Sequence, residues 1–151
     1  MTQAAAFDML RRVRAELGAG QFALSRVLAQ WKDDAEIPVA AKIGGVTETE
    51  LLRCAQNLES TYVLRLFSTF EAILRDFWLN GVRRNTEPEM RRLMNSVATR
   101  RGVNADDLAL AHQIREYRNN LIHENLAAGR FDFYQCLRGL SLFLRWLLIE
   151  W

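Results

Sequence analysis

The sequence predicts an all-α protein, an antiparallel helical bundle of five or six helices forming one domain over residues 1–151. Three observations predict it. Only two prolines, Pro38 and Pro88, interrupt the 151 residues. Apolar residues recur every three or four positions along most of the chain, and nowhere do they alternate as in a half-buried strand. Capping residues and glycines stand where those helical runs would begin and end.

Phe7, Leu10 and Leu17 open a first helix. Gly18 and Gly20 are expected to break it before a second run from Phe22 to Trp31, so that N-terminal helices cover residues 3–31. Residues 32–46, KDDAEIPVAAKIGGV, hold Pro38 and the Gly44–Gly45 pair and read as a loop. A core bundle then occupies residues 47–151. Thr47, with Glu50 three residues on, forms a capping box. The long helix it starts runs to about Asn80 and closes at Gly81. Thr86, with Pro88 just inside, begins a shorter helix that stops at Gly102. Asn104, followed by Asp106 and Asp107, caps a helix expected to reach Ala128 before Gly129. A final helix covers roughly Asp132 to Trp151. It is apolar on nearly every side, which predicts cover all round and, beyond what one bundle buries, a dimer interface.

Half the residues are hydrophobic and 25% are charged, the composition of an ordinary globular domain. With 20 basic against 18 acidic residues the net charge is +2, too balanced for attachment to nucleic acid by bulk charge alone. A local basic site remains open, because 18 of the 20 basic residues are arginines gathered in a few places. Cys54 and Cys136 stand alone within apolar runs, without a CxxC or Cys/His ligand spacing, so neither zinc nor a disulfide framework is expected. No cofactor and no metal are implied. The opening MTQAAAFDMLRR lacks the basic and apolar regions of a secretory leader. The most apolar run, LRGLSLFLRWLLIEW, is short and carries Arg138 and Arg145. A reduced, cytoplasmic protein with no membrane engagement is the expectation.

The stretch REYRNNLIHEN, Arg115 to Asn125, is where chemistry is concentrated. On a helical wheel Leu110, Ile114, Tyr117 and Leu121 form a narrow stripe, the spacing of a seam facing a neighbouring helix. His112, Arg115, Asn119 and His123 fall together about 130° to 190° away, with Arg118 between the two faces. A polar face opposite an apolar stripe is what any surface helix carries. A solvated face is usually written with Lys and Glu, however, whereas this one is Arg, Asn and His, which form directed hydrogen bonds and, for His, titrate near neutrality.

The spacing from Arg118 through Asn119 to His123 resembles the motif of the HEPN superfamily: an Arg, a polar residue, and a His four to six residues after the Arg. Those are small all-α bundles, many of them metal-independent endoribonucleases of toxin–antitoxin and antiviral systems. The segment LFSTFEAILRDFW, Leu66 to Trp78, is similar to the Phe–Glu helix of several of its families. The resemblance extends over roughly residues 47–151. It implies Arg118 and His123 as catalytic residues and a homodimer whose two Arg/His pairs line a shared cleft. It also implies RNA as substrate and an antitoxin or defence-system protein as a further partner. Relatives that bind without cutting make a non-catalytic dimer holding RNA, a nucleotide or a protein partner the alternative.

Those residue types suit metal-free RNA cleavage. A histidine with an ordinary pKa of about 6.5 can move the protons of the 2′-hydroxyl and the leaving 5′-oxygen. A guanidinium binds two phosphate oxygens and keeps its charge. Asn119, one turn before His123, is placed to orient that histidine or the phosphate, and Arg115 is a further supporting residue. Glu71 interrupts the stripe of Val63, Phe67, Leu74 and Trp78, where a carboxylate needs a partner. That partner is Arg75 one turn on, a neighbouring helix, or Arg118 or His123 themselves. His112, about 16 Å from His123 along the axis, reads as surface. The pairs Arg83–Arg84, Arg91–Arg92 and Arg100–Arg101 are candidates for contact with the RNA backbone, though such pairs are more commonly solvated.

Overall fold

The long capped helix foreseen at Thr47 is the spine of the fold. In a computed structural model describing residues 1–31, 33–123 and 131–151, it is α3, Glu48–Asp76. The Thr47 hydroxyl accepts from Glu50 N at 3.3 Å, and Glu50 Oε2 accepts from Thr47 N at 2.7 Å. That second bond, then the bond to the Thr47 side chain, holds the Glu50 carboxyl below the usual range. Around α3 are α1 (Gln3–Gln30), α2 (Glu36–Ile43), α4 (Met90–Arg101), α5 (Ala105–Ile122) and α6 (Phe133–Leu144). Among the described residues the only extended pairing is one antiparallel bridge between Thr2 and Glu150. The all-α expectation holds, with six α-helices among those residues.

Four boundaries differ from the sequence expectation, each for a physical reason. First, α1 runs unbroken through Gly18 and Gly20, since packing along α3 outweighs the low helix propensity of two glycines. Gly20 lies against Leu58, whose Cδ2 is 3.4 Å from where a Cβ would stand. Second, the expected loop 32–46 contains α2. Pro38 is its third residue, inside the first turn, where a backbone N–H has no intrahelical acceptor to lose. Third, α4 starts at Met90 because Thr86 is committed elsewhere: its hydroxyl accepts from Trp78 Nε1 at 3.0 Å. The predicted stop at Gly102 is present, in the left-handed region at φ 68°.

Fourth, α6 ends at Leu144, and the chain returns beside the start of α1. The Gln3 side-chain amide donates to the carbonyls of Leu144, Arg145 and Leu147 at 3.2, 2.9 and 3.0 Å, satisfying acceptors that a continuing helix would have used. Trp151 packs edge-on against Phe77 at 5.2 Å and donates to Asp76 Oδ2 at 2.7 Å. Much of the apolar excess of this segment is therefore absorbed within one chain: Phe143, Leu144 and Leu147 are buried, while Leu148 and Ile149 are exposed.

The core lies between the first half of α1, the second half of α3, and α4 to α6, with Phe67, Phe70, Phe77, Phe133 and Phe143 among its largest buried side chains. From Gly18 to Tyr62 no described residue is buried. Helices α5 and α6 meet at Gly139, where a Cβ would lie 2.5 Å from Ile114 Cδ1 and 3.0 Å from Leu110 Cγ. No helix among the described residues is long and apolar enough to cross a membrane.

Candidate functional site

Helix α5 begins with Asn104, whose side chain accepts from Asp107 N at 2.7 Å, as its cap signature predicts. Asp107 itself is buried, a role its sequence position did not reveal. Its Oδ2 accepts from Arg145 Nη2 at 3.0 Å and Trp146 Nε1 at 2.8 Å, tying the start of α5 to the turn after α6. Ile114 is buried, and Leu110, Tyr117 and Leu121 pack against the core, so the apolar stripe faces inward as expected. The helix ends at Ile122, with His123 as its C-cap and His123 N donating to Asn119 O at 3.1 Å. The expected continuation to Ala128 and the stop at Gly129 lie outside the described residues.

The polar face of α5 is not wholly open to solvent. His112 Nε2 is 2.7 Å from Asn95 Oδ1 of α4, and only residues 102–104 join the two helices, so they form an antiparallel hairpin. His112, expected at the surface, is half-buried there, with Nδ1 enclosed and unpartnered. Burial, then the charges of Arg115 and Arg91, push its pKa below the ordinary value against the opposing pull of Glu116. Arg115 is also drawn in: its side chain is 18% exposed, and it meets Glu116 at 3.3 Å. The N-terminal end of α4 thus brings Arg91 near His112.

Arg118 lies over the Phe67 ring at 5.7 Å, and its Nη1 donates to Asn119 Oδ1 at 3.0 Å. Neither Arg118 Nε nor Arg115 Nε has a hydrogen-bond partner, although both are buried. Arg118 makes no ion pair among the described residues. His123 is exposed, about 7.5 Å further along the axis. Glu71, by contrast, is taken by Arg75, with contacts of 2.6 and 3.0 Å from Oε1 to Nη2 and Nε. The ion-pair alternative for Glu71 is the one present, and Arg118 is turned to Asn119 instead.

The three arginine pairs are spread over the 82–89 segment and both ends of α4. Arg83, Arg84, Arg91, Arg92 and Arg100 are exposed, and none of them makes an ion pair among the described residues. Arg100 stacks over Trp78 at 5.6 Å. Arg101 differs from the others, because its Nε donates to Trp146 O at 3.0 Å and helps fix the turn after α6. The Cys136 thiol is buried and pushed up to about 12 by that burial, then by Asp132 and Glu59, so it is not a nucleophile at neutral pH. No group of three His, Cys, Asp or Glu side chains capable of holding a metal occurs among the described residues.

Chemically, the second half of α5 offers one guanidinium with no acid partner among the described residues, Arg118, a second paired with Glu116, an amide beside Arg118, and an imidazole at the helix end. Such a set can hold a phosphate and exchange a proton with it. Asn95 and Arg91, which complete the surroundings of that face, were not singled out by sequence, because only the helix pairing brings them there. No family model, no curated protein and no solved structure matches the chain.

Proposed function

We propose that the protein is a metal-independent endoribonuclease of the HEPN type, a toxin or defence effector whose Arg/His site is completed across a homodimer. The observation that carries the reading is the condition of Arg118. It is a half-buried guanidinium on an aromatic face, with an unpartnered Nε and no carboxylate among the described residues. A cation held out of bulk water without a counter-ion is unfavourable until an anion arrives, and a phosphodiester is the anion its planar fork fits. Arg115, with a similarly enclosed Nε, adds a second positive charge on the same helix.

In this mechanism His123 of one copy takes the 2′-hydroxyl proton as O2′ attacks phosphorus. His123 of the other copy protonates O5′ as the P–O5′ bond breaks, leaving a 2′,3′-cyclic phosphate. Arg118 neutralises the phosphorane between them, and Asn119 keeps the Arg118 fork in place. The dimer supplies the second imidazole, because His112 of the same chain is bonded to Asn95 and far along the helix. An antitoxin or other defence-system protein would act by covering this face.

The second reading is a non-catalytic helical dimer that holds RNA, a nucleotide or a protein partner. It is favoured by the single exposed histidine near Arg118 in each chain. Incubation with mixed RNA in EDTA separates the two. Cleavage that drops by about 10²-fold or more in both Arg118→Ala and His123→Ala supports the nuclease. Parental cleavage by His123→Ala removes that histidine from the mechanism. RNA binding that needs Arg118 but produces no cleavage at all establishes the second reading.

A further inference from the structure

Between the end of α3 and the start of α4 the chain builds a pocket that the Arg/His site does not use. Phe77–Gly81 is a π-helical turn, a form often found at functional positions. Gly81 is required in it, since a Cβ would lie 2.8 Å from the Phe77 ring and 2.9 Å from Trp151 Cβ. Arg83 then adopts a left-handed backbone, φ 57°, unusual for a residue with a side chain. Three bonds pin the irregular segment that follows: Arg84 N to Trp78 O at 3.1 Å, Trp78 Nε1 to Thr86 Oγ1 at 3.0 Å, and Arg75 Nη1 to Pro88 O at 3.5 Å. An irregular loop held this way is a preformed wall.

The space it encloses is about 220 Å³, with Trp78, Leu79, Pro88 and Leu93 as apolar lining and Arg84, Asn85, Thr86 and Glu87 supplying polar groups. Charge accounting narrows what fits. Arg75 is neutralised by Glu71. Asp76 accepts from Trp151 and Asn80 and lies 3.7 Å from the amino group of Met1. The charges left uncompensated at the pocket, among the described residues, are Arg84 and Glu87. Beyond the lining, Arg83 and Glu89 flank it in the chain and Arg100 lies on the Trp78 ring, so the balance leans toward an anion by one positive charge. An apolar slot whose lining also carries a guanidinium, an amide and a carboxylate matches a flat, hydrogen-bonding ring that carries a phosphate.

We propose that the pocket between the π-helical turn, residues 82–89 and Leu93 binds a nucleoside 5′-monophosphate, as a free nucleotide or as one residue of an RNA strand. The base enters the slot beside Trp78 and Pro88, Glu87 and Asn85 meet its polar edge, and Arg84 takes the phosphate. Only the choice of RNA as the source rests on the nuclease reading.

The test uses the full chain labelled with ¹⁵N, whose Trp78 Nε1–H signal reports the pocket while the indoles of Trp31 and Trp146 serve as controls. AMP, GMP, CMP and UMP, the matching nucleosides, and inorganic phosphate are titrated to roughly millimolar concentration. The expected result is a saturable shift of the Trp78 signal with at least one mononucleotide, with binding weakened about tenfold in Arg84→Ala. Arg84 is exposed, so this variant folds. No Trp78 shift with any mononucleotide overturns the proposal. So does an equal shift with inorganic phosphate or a nucleoside alone, or equal binding by Arg84→Ala. A short RNA that displaces the bound mononucleotide identifies the strand as the source, and failure to displace it identifies the free nucleotide. Arg118→Ala should leave this titration unchanged, so loss of cleavage and loss of pocket binding are read separately.

Discussion

Replacing Asp107 by alanine should destabilise the protein by about 2–3 kcal/mol. Asp107 is 6% exposed, and its carboxylate holds two donors, Trp146 Nε1 at 2.8 Å and Arg145 Nη2 at 3.0 Å. A hydrogen bond to a charged group contributes about 1.5–3 kcal/mol. The Trp146 contact merits that range, because its removal also leaves a part-buried indole N–H without an acceptor. The Arg145 side chain is 51% exposed, so solvent screening reduces its share to at most about 1 kcal/mol. For a chain of 151 residues each kcal/mol moves the midpoint about 2–4 °C, giving a fall of roughly 5–10 °C. Thermal unfolding followed by circular dichroism at 222 nm measures it. Asp107→Asn keeps an oxygen for Trp146 and should lose only about 1 kcal/mol. An Asp107→Ala protein melting within about 1 °C of the parent would refute the anchoring role assigned to this residue.

The pKa of His112 is lower in the folded chain than its ordinary 6.5, so the unfolded state binds more protons between those two values. Stability should therefore decline as pH falls below about 6.5, level off beneath the folded pKa, and be unaffected by this group at higher pH. His112→Asn should flatten that part of a plot of midpoint against pH, and an unchanged slope between pH 7 and 5 would assign it to other groups. Gly81→Ala should lower the thermal midpoint by several degrees, because the Phe77 ring and Trp151 must both move; thermal unfolding followed by circular dichroism measures the loss. If the arginines of α4 track the RNA backbone, Arg92→Ala should weaken binding alike for all sequences. It should also reduce the slope of log affinity against log salt by about 0.7–1, as read from fluorescence anisotropy.

Signals confined to a few neighbouring residues were legible in the sequence. The Thr47–Glu50 box, the Asn104 cap and the Gly102 stop each depend on backbone groups within one turn, and all three are present. The inward stripe of α5 was legible for the same reason. Its opposite face was not, because a wheel locates a helix's own apolar seam but not a second neighbour. Helix α4 covers His112, and the Arg115 side chain is only 18% exposed, so part of the expected outer face is not open to solvent. The end of α6 was hidden by uniformity: in LRGLSLFLRWLLIEW every direction is apolar, and periodicity cannot mark where the chain leaves the helix. What ends it there is Gln3, more than 140 residues away in the chain. The Arg118–Asn119–His123 spacing was visible throughout, whereas the enclosed Nε of Arg118 follows from Phe67 and could only be seen once α3 and α5 were packed.

The long helices α1 and α3 each join a section with buried residues to one with none, the change falling at Leu17 in α1 and Val63 in α3. A continuous helix need not have one stability along its length, since opening free energy follows local burial. Amides in residues 18–30 and 48–62 should exchange with solvent deuterium through local opening, at free energies well below the global value. Those of residues 6–17 and 63–76 should exchange only with the whole molecule. Two single helices thus each cross a cooperative boundary, and the outer reaches can fray and re-form while the segment carrying Phe67 keeps Arg118 in place.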